Sequence, residues 1–259
     1  CEKTENVVWA LVFNQTHSAF QNEKVRAGFI RAIDRSVLEP FLQQTHQENL
    51  RVYDRLIPPA ISLFTESYTG QTSVQTENTY DTKEAYRLYR EGMDELEADT
   101  LRKIQLLVPD DSSIPAMCGL LQQAWQSTLA VSVNIEEVSR NELSSRLSRG
   151  DYQVALVPLK ASANTPADIL SRFTSDSVSN IASYHNPAFD SAVRNAGSSY
   201  EKQTILRQYE AAEEMLLNDA VVFPLLAETN YFVMAENVSG IAFYPYGGKV
   251  VFRDAVALR

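Results

Sequence analysis

The chain has 259 residues, enough for one large or two modest domains with real cores, and its 44% hydrophobic and 22% charged content is that of an ordinary globular protein. A net charge of −10 excludes the clustered Lys and Arg that a nucleic-acid surface needs, so no nucleic-acid partner is expected. No apolar run approaches the roughly 20 residues of a membrane-spanning helix, and two cysteines make no disulfide framework.

Asn6–Asn14 (NVVWALVFN) is dense in Val, Trp and Phe and predicts a strand. Asn22 is placed to cap a helix running to Arg35, whose apolar face is Val25, Phe29, Ile30 and Ile33. A second helix, Val37–Gln44, follows. Leu50–Tyr80 carries Pro58-Pro59 and many Thr, Ser and Gln residues, and predicts an irregular surface excursion with short strands. Asp81 then caps a helix over TKEAYRLYREGMDELEA.

Ile104–Val108 (IQLLV) lacks helical spacing and ends at Pro109-Asp110-Asp111, a turn and capping pair. In IPAMCGLLQQAWQSTL, Met117, Leu120, Leu121, Ala124, Trp125 and Leu129 repeat at three-and-four spacing, so one helical face can bury, Cys118 with it. Val131–Val138 alternates as a strand does. A short helix, Asn141–Ser148, stops at Gly150, and Tyr152–Val157 is apolar again. Strand, helix, strand, helix, strand with short links predicts an α/β fold with a parallel β-α-β layer. Ligands of such sheets sit outside the carboxyl ends of the strands. Pro158–Pro166 (PLKASANTP) leaves the last strand at that edge and is the first candidate for a functional loop.

Beyond it, helices are expected over Ala167–Phe173, from Pro187 (first-turn proline) and over Tyr200–Asn218, with Ile205, Tyr209, Ala212, Met215 and Leu216 on one face. Ala220–Ala227 and Tyr231–Ala235 predict two consecutive strands, and Ile241–Arg259 two more around Gly247-Gly248. Enzyme signals are poor. His17, His46 and His185 are scattered without metal-ligand spacing, there is no G-x-S-x-G and no Gly-rich phosphate loop, so neither catalysis, a metal nor a cofactor is expected.

The order of motifs resembles the extracytoplasmic solute-binding proteins of the oligopeptide and dipeptide ABC-transporter class (bacterial solute-binding protein family 5). FNQTHSAFQNEKVRAGFIRAIDR (Phe13–Arg35) is similar to that family's "N…PF.d.rVR.Al..AiDR", and LIPPAISLF (Leu56–Phe64) to the proline-containing turn after it. YDTKEAYRLYREG (Tyr80–Gly92) resembles "YDPekAk.lL.eaG", SNIASYHNPAFDSAVRNA (Ser179–Ala196) resembles "N…y.npefD.ll..A", and Glu210–Val233 resembles "..ae.il.edaPviPly". Each block is degenerate; their agreement in order and spacing is what is specific.

The resemblance implies the carboxyl-terminal half of a two-lobed receptor: a periplasmic-binding-protein-like lobe at 15–222, with 1–14 crossing from a missing amino-terminal lobe and 223–259 returning to it. It implies a peptide or related small solute as ligand, ABC permease subunits as partners, and an extracytoplasmic location, in the periplasm or lipid-anchored at the outer face of the cell membrane. A solute-sensing module of a transcription regulator or signalling protein is the other reading. The polar start, CEKTEN, has no signal-peptide layout. Cys1 reads either as a lipid-bearing first residue or as a mere cut in the chain, and the cut is favoured.

Pro158–Pro166 falls where the family's peptide binders read "GW..DY.dP", whose acid holds the peptide α-ammonium. Counting back from Pro166, Ser162 takes the acid's place, Pro158 and Leu159 those of Gly and Trp, with Lys160 between; Asn164 completes the loop's candidates. A serine does not neutralise a buried ammonium, whereas Lys160 would favour an anionic ligand if it is more than a solvated loop residue. Asn14 matches a hinge asparagine, or else satisfies strand-end backbone groups. Arg140, before the short helix, is a cleft residue or a surface charge. Tyr231, Tyr244 and Tyr246 are candidates for an interlobe surface.

Overall fold

The computed structural model describes residues 2–98, 101, 103–110, 114–246 and 249–257. The expected readings of Cys1, Asp111 and Gly247-Gly248 lie outside them. The elements in chain order are β1 (Glu2–Phe13), α1 (Glu23–Arg31), α2 (Leu38–Gln44), β2 (Leu50–Val52), β3 (Ser62–Leu63), β4 (Glu66–Ser67), α3 (Tyr68–Gln71), α4 (Thr82–Glu95), β5 (Lys103–Pro109), α5 (Ile114–Leu129), β6 (Ser132–Val138), α6 (Arg140–Arg149), β7 (Val154–Lys160), α7 (Ala167–Leu170), α8 (Pro187–Ser198), α9 (Lys202–Asn218), β8 (Val222–Phe232), β9 (Val238–Ser239), β10 (Ala242–Tyr244), β11 (Lys249–Val251) and β12 (Val256–Ala257).

Six strands form one sheet in the order β2-β8-β1-β7-β5-β6. The expected parallel unit is present: β5 pairs parallel with β6 and with β7. The sheet as a whole is mixed, because β1 runs antiparallel to both β7 and β8. Val7–Phe13 is buried throughout, which accounts for its unbroken apolar sequence: a central strand covered on both faces has no polar side to alternate to.

One face carries α1, α2, α4 and α5 over Trp9, Leu11, Phe13, Leu106, Val108 and Leu156. Its centre is aromatic: the Phe29 ring lies 5.2 Å from Phe20, 5.3 Å from Trp125 and 6.0 Å from Tyr89 between centroids, and the Trp125 indole N–H donates to the Phe29 carbonyl at 2.8 Å. α1 and α4 touch closely at Gly28, where an added Cβ would come within 2.8 Å of the Ala85 carbonyl oxygen. The other face carries α6 to α9 over Ala10, Val12, Leu107, Ala155, Val157 and Leu159. The result is an α/β/α sandwich.

Two helix starts follow the expected chemistry. The Asn22 side chain accepts from the Lys24 and Val25 amides, and Asp81 accepts from those of Lys83 and Glu84. Gly150 ends α6 in the left-handed conformation, φ +68°. One expectation needs correction. The two strands predicted at 220–227 and 231–235 are a single strand, β8 (Val222–Phe232), because Glu228 pairs with Val7 and Asn230 with Thr4 of β1 across a register shift, and the Thr229 amide donates to the Asn49 carbonyl. β3 and β4 form a short antiparallel hairpin, and β9 to β12 form two more short antiparallel pairs with little cover, with Val233 and Phe252 81% and 63% exposed.

Candidate functional site

The carboxyl ends of β5, β6 and β7, at Pro109, Val138 and Lys160, define one edge of the sheet. Val7 of β1 is opposite Lys160 and also opposite Glu228 of β8. The first residues of β1 and the last of β8 therefore run past this edge as a two-stranded ribbon, Glu2 to Thr4 pairing with Phe232 to Asn230. The Pro158–Pro166 loop and the ribbon leave the sheet together.

Buried Asn6 joins them. Its carbonyl accepts from the Ala161 amide at 2.8 Å, its amide nitrogen donates to the Pro245 carbonyl at 2.6 Å, and its side-chain oxygen accepts from Asn230 at 3.1 Å. Asn6 was not a candidate from sequence, where it reads as the polar start of a strand.

Within the loop, Leu159 is buried and Lys160 is exposed. Ser162 is bound by Asp168: its hydroxyl donates to Oδ1 at 2.6 Å and its amide to Oδ2 at 2.9 Å. Arg172 closes the arrangement, with Nη2 donating to Asp168 Oδ2 at 2.8 Å and to the Lys160 carbonyl at 2.7 Å. An acid thus stands beside Ser162 after all, but its charge is met by a guanidinium. Asp168 and Arg172 were missed by sequence reasoning, although their i, i+4 spacing is a readable pairing signal.

Asn164 does not face solvent freely either. Its side-chain oxygen accepts from the Ser62 amide at 2.7 Å, which pins the loop to the β3–β4 hairpin. That hairpin is reached through a segment fixed by Glu213, which is fully buried. Glu213 accepts from Arg55 at 3.1 and 2.9 Å and from the amides of Leu56 and Ile57 at 2.8 and 3.3 Å. A buried carboxylate in α9 is tolerated there because a cation and two backbone donors satisfy it.

Next to the loop is a cavity of about 470 Å³ between α6 and the 172–181 segment. Leu143, Leu147, Val157, Leu159, Phe173 and Ile181 supply its apolar lining, and Arg140 and Arg172 also line it. The structure therefore brings Leu159 and Arg140 to one place. Ser139 makes this possible by capping α6, accepting from the Glu142 amide at 3.2 Å, so that Arg140 opens the helix at the sheet edge.

Asn14 is elsewhere. It follows the other end of β1, beside Gln153, so the length of β7 separates it from Lys160, roughly 20 Å at the usual strand rise. It is buried, its amide nitrogen donates to the carbonyls of Gly150 and Tyr152 at 2.9 and 2.8 Å, and its oxygen accepts from the Thr16 amide and hydroxyl at 3.0 and 2.8 Å. These are bonds of the kind the strand-end reading describes, and Asn14 also lines a polar cavity of about 420 Å³. Of the tyrosines, Tyr231 and Tyr244 are about half exposed, and the Tyr246 hydroxyl donates to the Ala60 carbonyl.

Among the described residues no group of three or more His, Cys, Asp or Glu is placed to hold a metal ion. The Cys118 thiol is buried, and burial pushes its pKa up to about 12, so it is no nucleophile. No helix among the described residues is long and apolar enough to cross a membrane.

Comparison with known sequences shows the family to which this sheet and its edge belong. The profile of the bacterial extracellular solute-binding proteins, family 5 (middle), matches residues 2–180, and the chain belongs to that family. The oligopeptide-binding protein OppA of Bacillus subtilis is 24% identical over 98% of this chain and 46% of its own length. A probable di/tripeptide-binding protein of Pseudomonas aeruginosa is 26% identical over 98% and 47%.

Among solved structures, Listeria monocytogenes OppA bound to peptide superposes with a TM-score of 0.82 at 19% identity, covering all of this chain and half of the other. An oligopeptide transporter substrate-binding domain from Bacillus anthracis gives 0.83 at 20% identity, covering 100% and 51%. The chain spans about half the length of these relatives. They are binding proteins rather than enzymes, and members of the family are periplasmic or extracytoplasmic.

Proposed function

We propose that this chain is one lobe of the substrate-binding component of an ABC importer, taking a peptide or related small solute at the carboxyl edge of its sheet and delivering it to the membrane permease outside the cytoplasm. The observation that carries this reading is the common exit of the β1/β8 ribbon and the Pro158–Pro166 loop. Whatever polypeptide is joined to the ribbon covers the edge where the loop and cavity lie. Residues 1–14 and 223–259 are then the crossings to a second lobe, and the exposed apolar side chains of β9 to β12 are the surface it meets.

Leu159, Lys160, Ser162, Asn164 and Arg140 are the contacts assigned to this lobe, with the bound state selected by closure of two lobes over the solute. Asn14 serves the frame. Because one lobe offers only part of the contacts, the 259-residue chain alone binds its solute weakly. The test is titration calorimetry on the longest natural polypeptide that carries this chain, with free and N-acetylated peptides. Binding that needs both lobes supports the reading, and submicromolar binding by the 259-residue chain alone overturns it.

A further inference from the structure

We propose that Gln105, Gln153 and His17 form a relay of hydrogen bonds that holds the His17 imidazole neutral in one tautomer and breaks when the ring is protonated. The relay is a proton-sensitive pin between the start of β7 and the turn that follows β1. It lies at the Asn14 end of the sheet and stands independently of where a solute binds.

The direction of each bond follows from its one fixed member. Gln153 immediately precedes β7, and Gln105 immediately precedes the first β5–β7 pair, Leu106 with Val154. The Gln105 amide, a backbone group that only donates, gives its hydrogen to Gln153 Oε1 at 2.6 Å. That bond sets the orientation of the Gln153 side chain, whose Nε2 lies 2.9 Å from His17 Nε2. A carboxamide nitrogen donates and does not accept. His17 Nε2 is therefore an acceptor without hydrogen, and the neutral ring carries its proton on Nδ1, the reverse of the form that free histidine prefers in water.

A second proton has to go to Nε2, where the Gln153 donor already stands. The charged ring has hydrogens on both nitrogens, so only a turned carboxamide, with Oε1 toward the ring, can meet it. The same turn points Nε2 at the Gln105 amide, donor against donor. Protonation thus gives up a backbone bond at the junction of β5 and β7.

The surroundings do not reward the charge. His17 Nδ1 is buried without a partner among the described residues, and the Phe20 ring lies 5.6 Å from the imidazole. Arg146, Asp151 and Tyr152 line the polar cavity with His17. Asp151 is met by Arg146 at 3.4 Å, Arg146 also pairs with Glu136 at 2.8 Å, and the Tyr152 hydroxyl donates to the Ile181 carbonyl at 2.5 Å. On the α1 side, Arg26 donates to the carbonyls of Phe20 and Gln21, which adds a cation.

The test is imidazole NMR of the nitrogen-15-labelled chain, with His17→Gln identifying the His17 signals among the three histidines. At neutral pH, His17 should show a protonated Nδ1 and a bare Nε2, with a scalar coupling across the bond from Gln153 Nε2. On acidification that coupling should vanish as the ring titrates, and the Gln105 amide should shift with the same midpoint. Gln153→Glu reverses the relay, because a carboxylate accepts from both the Gln105 amide and the ring. In that variant the neutral ring should carry its proton on Nε2, and the His17 midpoint should rise by about one pH unit or more over the parent.

A bare Nδ1 in the parent, a Gln105 amide indifferent to the His17 titration, or a Gln153→Glu variant that titrates at or below the parent overturns the proposal. If that variant does not fold, the tautomer and the Gln105 amide of the parent decide it alone.

Discussion

The two edges of the central sheet differ in where their polar groups are spent. At the edge marked by Asn14 the residues are intensely polar and many of them bond one another, although Gln15 Nε2 and His17 Nδ1 are buried without a partner among the described residues. Asn14 brackets Gly150, Tyr152 and Thr16, Gln153 meets His17 at 2.9 Å, and Arg146 pairs with Glu136 at 2.8 Å. At the Lys160 edge the bonds gather at the loop's anchor points, Ser162 to Asp168 and Asn164 to Ser62, and an apolar cavity with arginines in its lining is left open beside them. Polar density alone therefore does not mark a binding edge. On the proposed function, the edge that takes a solute is the one where hydrocarbon is uncovered beside the loop.

The largest effect expected from breaking this contrast is at Asn14. Asn14→Ala leaves the Gly150 and Tyr152 carbonyls and the Thr16 amide short of partners in a mostly buried place, at a total cost of about 3 kcal/mol. Urea unfolding of the 259-residue chain measures it, and solute affinity of the two-lobed protein should stay unchanged. Affinity lost while stability is kept would move Asn14 back among the ligand contacts. Ser162→Asp is the reverse case. The site is exposed, but the new carboxylate replaces a hydroxyl that donates to Asp168 Oδ1 and faces that acid, so a stability loss of about 1–2 kcal/mol is expected. The added carboxylate, with Arg172 already committed to Asp168, should improve free-amine peptides over N-acetylated ones by about tenfold, or about 1.4 kcal/mol. Calorimetry with the paired peptides reads this, and an unchanged ratio would show that residue 162 does not face the solute.

The same contrast explains what could be read from the sequence. The β5-α5-β6-α6-β7 unit was legible because it is local: period, caps and Gly150 all sit within a few residues of the elements they define. β8 was split in two because a strand whose outer half carries Glu228, Thr229 and Asn230 reads as a break, and only the long-range ladder with β1 shows that it continues. The loop was located from topology, and Leu159 and Arg140 do share the cavity. What closes the loop was hidden. Asp168 looks like an ordinary helix-start acid until folding brings it to Ser162, and neither the Glu213–Arg55 pair nor the reach of Asn6 to Pro245 has any trace in local pattern, with partners 158 and 239 residues apart.

The smallest expected effect belongs to His17, at the polar edge, where its Nδ1 is buried without a partner among the described residues. Burial lowers its pKa below the ordinary histidine value, because the ring is half-buried and no anion compensates its charge. Arg146 and Asp151 line the same polar cavity of about 420 Å³, but they pair with each other at 3.4 Å. For a group whose folded pKa lies below its unfolded one, the stability it permits is complete above the unfolded value. It is lost as the pH falls from there through the folded value, since the unfolded chain takes up the proton first. His17→Gln keeps a side chain able to meet Gln153 and cannot charge. It should therefore flatten the mild loss of stability on acidification through the histidine range and leave stability above that range nearly unchanged. Thermal unfolding of the two proteins across that interval distinguishes them. A variant that tracks the parent at every pH would mean that the imidazole takes its proton in the folded state without penalty, and that this edge keeps unspent capacity for charge.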